Sequence, residues 1–329
     1  MNRRNWAAVA ASTAVVLLLA VLSVLGPDIS LADRGTEYFE PLSPQAGIVL
    51  LVAGIVTQFG DPWFLLLVAA LIYLAENERT GVRDSSDGAF VLGVTFAAFS
   101  FVDLLKNVFV GPRPPGAGTV EIPMWLPAAL GGLFQSITTG SGYAFPSGHA
   151  LGTTAVFAAI AYKLDLGERR VRWAVAGLGV VLVAGSRVVL GVHFLVDVLV
   201  GCLAGVCLFA AATTVGGRRP SRVFALGIGL GVLAVLASMG SPEPVVWKAG
   251  QWLGASLGAG IAWHHLRPTS MLAFQEAVVA GVPIAIVWIT IYVTSPPLVV
   301  TVLATAVAAG VTVAAPRLID SASTFPRPI

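Results

Sequence analysis

Apolar runs close to the roughly 20 residues that carry a helix across a bilayer recur at about 6–26, 88–107, 147–163, 171–190, 194–215, 222–240, 248–265, 273–293 and 297–315. A further apolar stretch, 46–76, is interrupted at Gly60-Asp61-Pro62. Its first part, 46–59, is too short to span and reads as re-entrant or interfacial, with 62–76 as a crossing. The pattern predicts an all-α, polytopic membrane helical bundle of about ten crossings. Arg3 and Arg4 ahead of the run from Trp6 to Leu25 also fit a signal peptide. That run is longer than a signal core and lacks a small-residue cleavage site, so an uncleaved helix is expected.

Composition agrees with the pattern. Hydrophobic residues make up 57% and charged residues 11%, with mean hydropathy +0.87, against about a quarter charged in ordinary globular domains. A net charge of +2 comes with no basic stripe interleaved with aromatics, so nucleic acid is not an expected partner. The membrane is. Cys202 and Cys207 lie in one predicted crossing at a separation that cannot face them together, and no disulfide framework is expected.

The basic residues sort by side. With the N-terminus inside, the short inner loops and helix ends hold Arg3, Arg4, Arg79, Arg83, Lys163, Arg169, Arg170, Arg172, Arg218, Arg219, Arg222, Arg267, Arg317 and Arg327, 14 of 19 basic residues. Arg34, Lys106, Arg113, Arg187 and Lys248 remain outside. Glu76, Glu78, Asp84 and Asp87 in and beside the loop 77–87 count little in this rule. The expected location is therefore the cell membrane, multi-pass, with a cytoplasmic N-terminus.

Three polar clusters break the oily background: Lys106-x6-Arg113-Pro114, then Pro146-Ser147-Gly148-His149, then Ser186-Arg187-x5-His193-x3-Asp197. The topology puts all three at outer helix ends. Ionisable groups at membrane depth are costly and mark function. Arg113, in a loop stiffened by prolines, offers a planar fork to phosphate oxygens and Lys106 a compact charge, although alone the pair could equally be snorkelling interfacial cations. Ser147 is placed to cap a helix running from Gly148 through Leu164, whose N-terminal N–H groups favour an anion, and Gly148 lets the backbone come close. His149 stands in the first turn. His193 and Asp197, at i and i+4, share a helix face if that helix starts slightly early. A carboxylate on one imidazole nitrogen fixes the tautomer and leaves the other free as nucleophile or base. Asp103, three residues before Lys106, is expected to pair with it.

Together these motifs resemble, in order and spacing, the tripartite signature of the type 2 phosphatidic acid phosphatase (PAP2) superfamily, in its integral membrane lipid phosphatase branch. The resemblance covers about residues 1–215, a six-helix core, and leaves 216–329 as a C-terminal transmembrane extension of about four helices. It implies a metal-independent phosphatase acting on a lipid phosphate or polyprenyl diphosphate at the outer face. His193 would attack phosphorus to form a phosphohistidine, with Asp197 orienting it and His149 protonating the leaving oxygen. Lys106, Arg113, Ser147, Gly148 and Arg187 would hold the phosphoryl oxygens. No cofactor or metal is implied, and the clusters lack the grouped carboxylates that divalent ions require. A lipid phosphotransferase, with an acceptor hydroxyl in place of water, and a non-enzymatic transporter of lipid or phosphate remain as alternatives. Pure binding would need the cations without the nucleophile.

In the extension, Gly250, Gly254 and Gly258 recur every fourth residue and allow close helix packing, within the chain or between copies in a homo-oligomer. His264 and His265 beside Arg267 read as interfacial.

Overall fold

The computed structural model describes residues 47–75, 84–217, 219–266 and 272–322. The first expected crossing, 6–26, lies outside them, as do Arg3, Arg4, Arg34, Arg79, Arg83, Arg218, Arg267 and Arg327. Among the described residues the chain forms eleven α-helices and no strands. They are α1 (Gly47–Thr57), α2 (Pro62–Leu74), α3 (Ser85–Phe109), α4 (Gly131–Thr138), α5 (Gly148–Lys163), α6 (Arg169–Val189), α7 (Leu195–Ala211), α8 (Pro220–Ser238), α9 (Glu243–Leu266), α10 (Phe274–Thr294) and α11 (Leu298–Ala322).

Six of these, α3, α6, α7 with the π turn that follows it, α8, α10 and α11, are long and apolar enough to cross a membrane. The α1 and α2 segments qualify only as a pair, bent by 45° at the expected break. Large apolar side chains face outward along α6, among them Val175, Leu178, Val181 and Leu182. In water such a surface would be untenable over so many turns; in lipid it has no transfer cost. This is a multi-pass membrane protein.

The hub is α3. Asp84 caps it by accepting from the Ser86 and Asp87 N–H groups at 2.8 and 3.2 Å, which satisfies donors that the first helical turn leaves unpaired. Phe90, Phe96 and Phe99 are buried along it, and α2, α5, α8 and α9 pack around it. At one end of the bundle α3 delivers Lys106 and then stops at Val110, whose backbone is left-handed. At the other end Lys163 of α5 pairs with Asp87 at 2.8 Å.

Glycines set the closest helix approaches. A Cβ on Gly201 or Gly205 of α7 would lie 2.6 Å from the Ser147 carbonyl oxygen or 2.7 Å from that of Leu151, so α7 meets the start of α5 backbone to backbone. In the extension, Gly250, Gly254 and Gly258 of α9 abut Leu298, Val302, Thr305 and Ala306 of α11. A Cβ on Gly258 would stand 1.8 Å from the Ala306 carbonyl oxygen. Of the two roles open to these glycines in the sequence, the structure uses them within the chain. Cys202 and Cys207 are free thiols.

Candidate active site

All eight residues singled out from the sequence converge at one end of the bundle. Lys106 comes from the last turn of α3 and Arg113 from the loop beyond it. Ser147, Gly148 and His149 open α5, Arg187 sits in the last turn of α6, and Asp197 lies in the first turn of α7. His193 stands in the connection between α6 and α7.

Ser147 caps α5 as expected, its Oγ accepting from the Ala150 N–H at 3.5 Å. The Ser147 N–H in turn donates to the Asp197 carbonyl at 2.9 Å, so the second and third motifs are joined through backbone. Gly148 packs against Val102 and faces the Lys106 side chain, whose Cε would be 3.8 Å from a Cβ there. That leaves the first N–H groups of α5 beside a cation, which concentrates positive potential where an anion would sit.

His193 and Asp197 do form a dyad, but not on a shared helix face. The α6 helix ends at Val189, Gly191 takes a left-handed backbone (φ +66°), and α7 begins only at Leu195. His193 is therefore presented by the turn. Asp197 reaches back to it from the third helical position, accepting from the Phe194 N–H at 3.0 Å while its Oδ2 lies 3.3 Å from His193 Nδ1. On the other side of the ring, Arg113 NH1 stands 3.4 Å from His193 Nε2. A guanidinium only donates, so Nε2 is assigned the lone pair and Nδ1 the hydrogen that faces Asp197. His193 is 3% exposed. Burial first, then the positive charges of Arg187, Arg113 and Lys106, hold its pKa well below the ordinary 6.5. The ring is neutral at physiological pH.

Arg113 does more than face the ring. Its Nε donates to the Ser141 and Gly142 carbonyls at 3.0 and 3.1 Å, its NH2 to Ser141 at 2.7 Å and its NH1 to the Val192 carbonyl at 2.7 Å. The side chain thus ties its own loop to the segment before α5 and to the His193 turn. Arg187 is 5% exposed; its NH1 donates to Thr57 Oγ1 at 2.8 Å, and among the described residues its buried Nε has no hydrogen-bond partner. A buried unpartnered donor is costly, and an anion in the site would supply the acceptor.

One feature was missed in the sequence. Asp61, in the break between α1 and α2, places Oδ1 2.9 Å from His149 Nε2. The contact is of ion-pair length yet off the line of a ring N–H, since Nε2 has no hydrogen-bond partner by direction. The signal available beforehand was an acidic residue at membrane depth within Gly60-Asp61-Pro62. Asp103 and Lys106 lie close enough to feel each other's charge, but among the described residues no direct ion pair joins them and Asp103 Oδ2 is buried without a hydrogen-bond partner. Among the described residues no three His, Cys, Asp or Glu side chains are grouped so as to hold a metal ion.

Comparison with known proteins agrees with the motifs. Residues 88–221, which contain all three clusters, match the PAP2 superfamily. Over 82 residues the chain is 39% identical to phosphatidylglycerophosphatase B of Bacillus subtilis (strain 168), a stretch amounting to 23% of this chain and 40% of that relative. The chain thus spans about two fifths of the length of the curated relative it matches. No solved structure matches it significantly.

Proposed function

We propose that the protein is a membrane lipid phosphatase that releases phosphate from a lipid phosphate or polyprenyl diphosphate by way of a phosphohistidine on His193. The observation that carries this is the His193 ring itself: Asp197 at Nδ1, Arg113 at Nε2, and a neutral imidazole buried among cations. A binding protein needs the cations, but gains nothing from a carboxylate-backed imidazole that keeps its lone pair at Nε2.

In the first step His193 Nε2 forms a bond to phosphorus as the bond to the lipid oxygen breaks. Lys106, Arg113, Arg187 and the N–H groups that follow Ser147 and Gly148 face the non-bridging oxygens, where charge spreads in the transition state. His149 gives its proton to the departing oxygen, an alkoxide from a phosphate monoester or a lipid phosphate from a diphosphate, and Asp197 supports the charge left on His193. In the second step water attacks phosphorus, His149 takes the proton, and His193 leaves. The cations stand in for a metal ion in this scheme, so hydrolysis proceeds without one.

The reading extends to place and substrate. The inner assignment of 14 of the 19 basic residues puts the site at the outer face of the cell membrane. We assign the catalytic unit to residues 1–215 and take 216–329 as a C-terminal extension. The name of the Bacillus relative puts phosphatidylglycerophosphate first among substrates to try. The test is phosphate release by the purified protein in detergent with EDTA, from phosphatidylglycerophosphate, phosphatidic acid and a polyprenyl diphosphate. Release that persists in EDTA and is lost in His193→Ala supports the reading. No release from any of the three contradicts hydrolysis and favours transfer to an acceptor hydroxyl.

A further inference from the structure

Asp61 occupies the N-cap position of α2, with extended backbone (φ −69°, ψ 146°) and Pro62 behind it. An aspartate there ordinarily accepts from an N–H of the first turn. This one makes no such bond. Its carboxylate is turned away from its own helix and lies 2.9 Å from His149, on an element that precedes the stretch matching the superfamily.

The segment before it is shaped to bring it there. A Cβ on Gly60 would lie 2.4 Å from Val183, 2.7 Å from Thr153 Oγ1 and 3.2 Å from His149 Cδ2. Only glycine lets the break come this close to α5 and α6. One helical turn earlier, Thr57 receives the Arg187 guanidinium at 2.8 Å. The break thus touches two of the three motifs, and Asp61 is the only carboxylate within ion-pair distance of His149 among the described residues.

We propose that Asp61 is the positioning carboxylate of the leaving-group acid, forming with His149 a second His–Asp pair that complements His193–Asp197. The inference rests on the phosphohistidine reading given above. The two pairs divide the work. Asp197 fixes a neutral ring whose lone pair attacks phosphorus. Asp61 orients His149 and sets a negative charge beside the imidazolium that carries the proton. As the phosphorus–oxygen bond breaks, that proton passes to the lipid alkoxide. When water attacks the phosphohistidine, the proton returns to His149 and the cycle closes. The chemical requirement is specific to alkoxide leaving groups, which are too basic to depart unprotonated; an aryl oxide such as p-nitrophenolate needs no such help.

The test compares kcat/KM of the purified full-length chain on phosphatidic acid and on p-nitrophenyl phosphate, for wild type, Asp61→Asn, His149→Ala and the double variant. The expected result is a loss of about 10²-fold for Asp61→Asn on the lipid, at the lower end of what general acid assistance supplies. Activity on the aryl phosphate should stay within about threefold, because its leaving group dispenses with the acid. The double variant should be no worse on the lipid than His149→Ala, since the two residues act as one unit. Asp61→Glu should recover part of the lipid activity. Equal losses on both substrates, with a lowered melting temperature, would mean that Asp61 only holds the fold and would overturn the proposal. So would an unchanged lipid rate. A wild type inactive on both substrates would instead remove the phosphatase reading, and the Asp61 role with it.

Discussion

The Ser147 N–H donates to the Asp197 carbonyl at 2.9 Å, and this bond registers the N-terminal end of α5 against the first turn of α7. Gly201, one turn further along α7, makes the approach feasible, because a Cβ there would lie 2.6 Å from the Ser147 carbonyl oxygen. Gly201→Val should push α5 and α7 apart and cost about 1–3 kcal/mol, as overpacking typically does. Activity should fall further than that figure implies, since a displacement of about 1 Å at a reacting group can cost about 10²-fold. Melting temperature in detergent and kcat/KM on the same preparations check both expectations.

Asp197→Asn is expected to lower kcat by about 10²–10⁴-fold while leaving the fold intact, in line with the known effect of amidating a triad carboxylate. The amide can keep the Phe194 N–H bond through its oxygen. It no longer compels hydrogen onto His193 Nδ1, so the lone pair at Nε2 is lost in part of the population, and with it the counter-charge. Steady-state kinetics beside a circular dichroism melt separate the two effects.

The depressed pKa of His193 gives a pH dependence of definite sign. In the proposed mechanism protonation removes the nucleophile, so the acid limb of kcat/KM due to this group is expected well below pH 6.5 rather than at it. For stability, the unfolded ring titrates near about 6.5 and the folded ring lower. In the window between them the unfolded chain binds more protons, and stability rises with pH. This contribution is complete above the unfolded value and is lost as pH falls beneath it. A pH series of kcat/KM and of melting temperature, with His193→Gln as the reference for the latter, tests both limbs.

Gly258→Val should loosen the added layer without touching the chemistry. A Cβ at this position would overlap the Ala306 backbone of α11, at 1.8 Å from its carbonyl oxygen, and no rotamer relieves a clash with main chain. The expected outcome is a fall in melting temperature corresponding to at least about 1–3 kcal/mol, with kcat of the surviving folded fraction nearly unchanged. A large fall in kcat at unaltered stability would show instead that the extension governs the site.

Much of the site was legible because its parts are local. Ser147 as a cap, Gly148 beside it and the spacing of His193 to Asp197 are each fixed within a turn or two of chain. The helix-face reading of His193 failed because α7 begins at Leu195, two residues later than that reading required, and apolar runs do not reveal a turn of five residues. Helix α4 went unread for a similar reason: eight residues in a Pro- and Gly-rich segment give barely two turns of pattern. Asp61 could not be assigned from sequence, since its partner lies 88 positions away and an aspartate before a proline reads as an ordinary helix start. Nor could the partner of Gly250, Gly254 and Gly258 be chosen among several apolar helices. Tertiary contact alone selects α11.

In the proposed mechanism phosphorus is transferred to His193 before it meets water. Hydrolysis of a substrate made chiral at phosphorus with oxygen isotopes and sulfur reports this directly through the configuration of the product. Two successive in-line displacements, one by His193 Nε2 and one by water, give overall retention, and retention is the predicted result. Inversion would mean a single displacement by water, with His193 acting at most as a base, and would contradict the account.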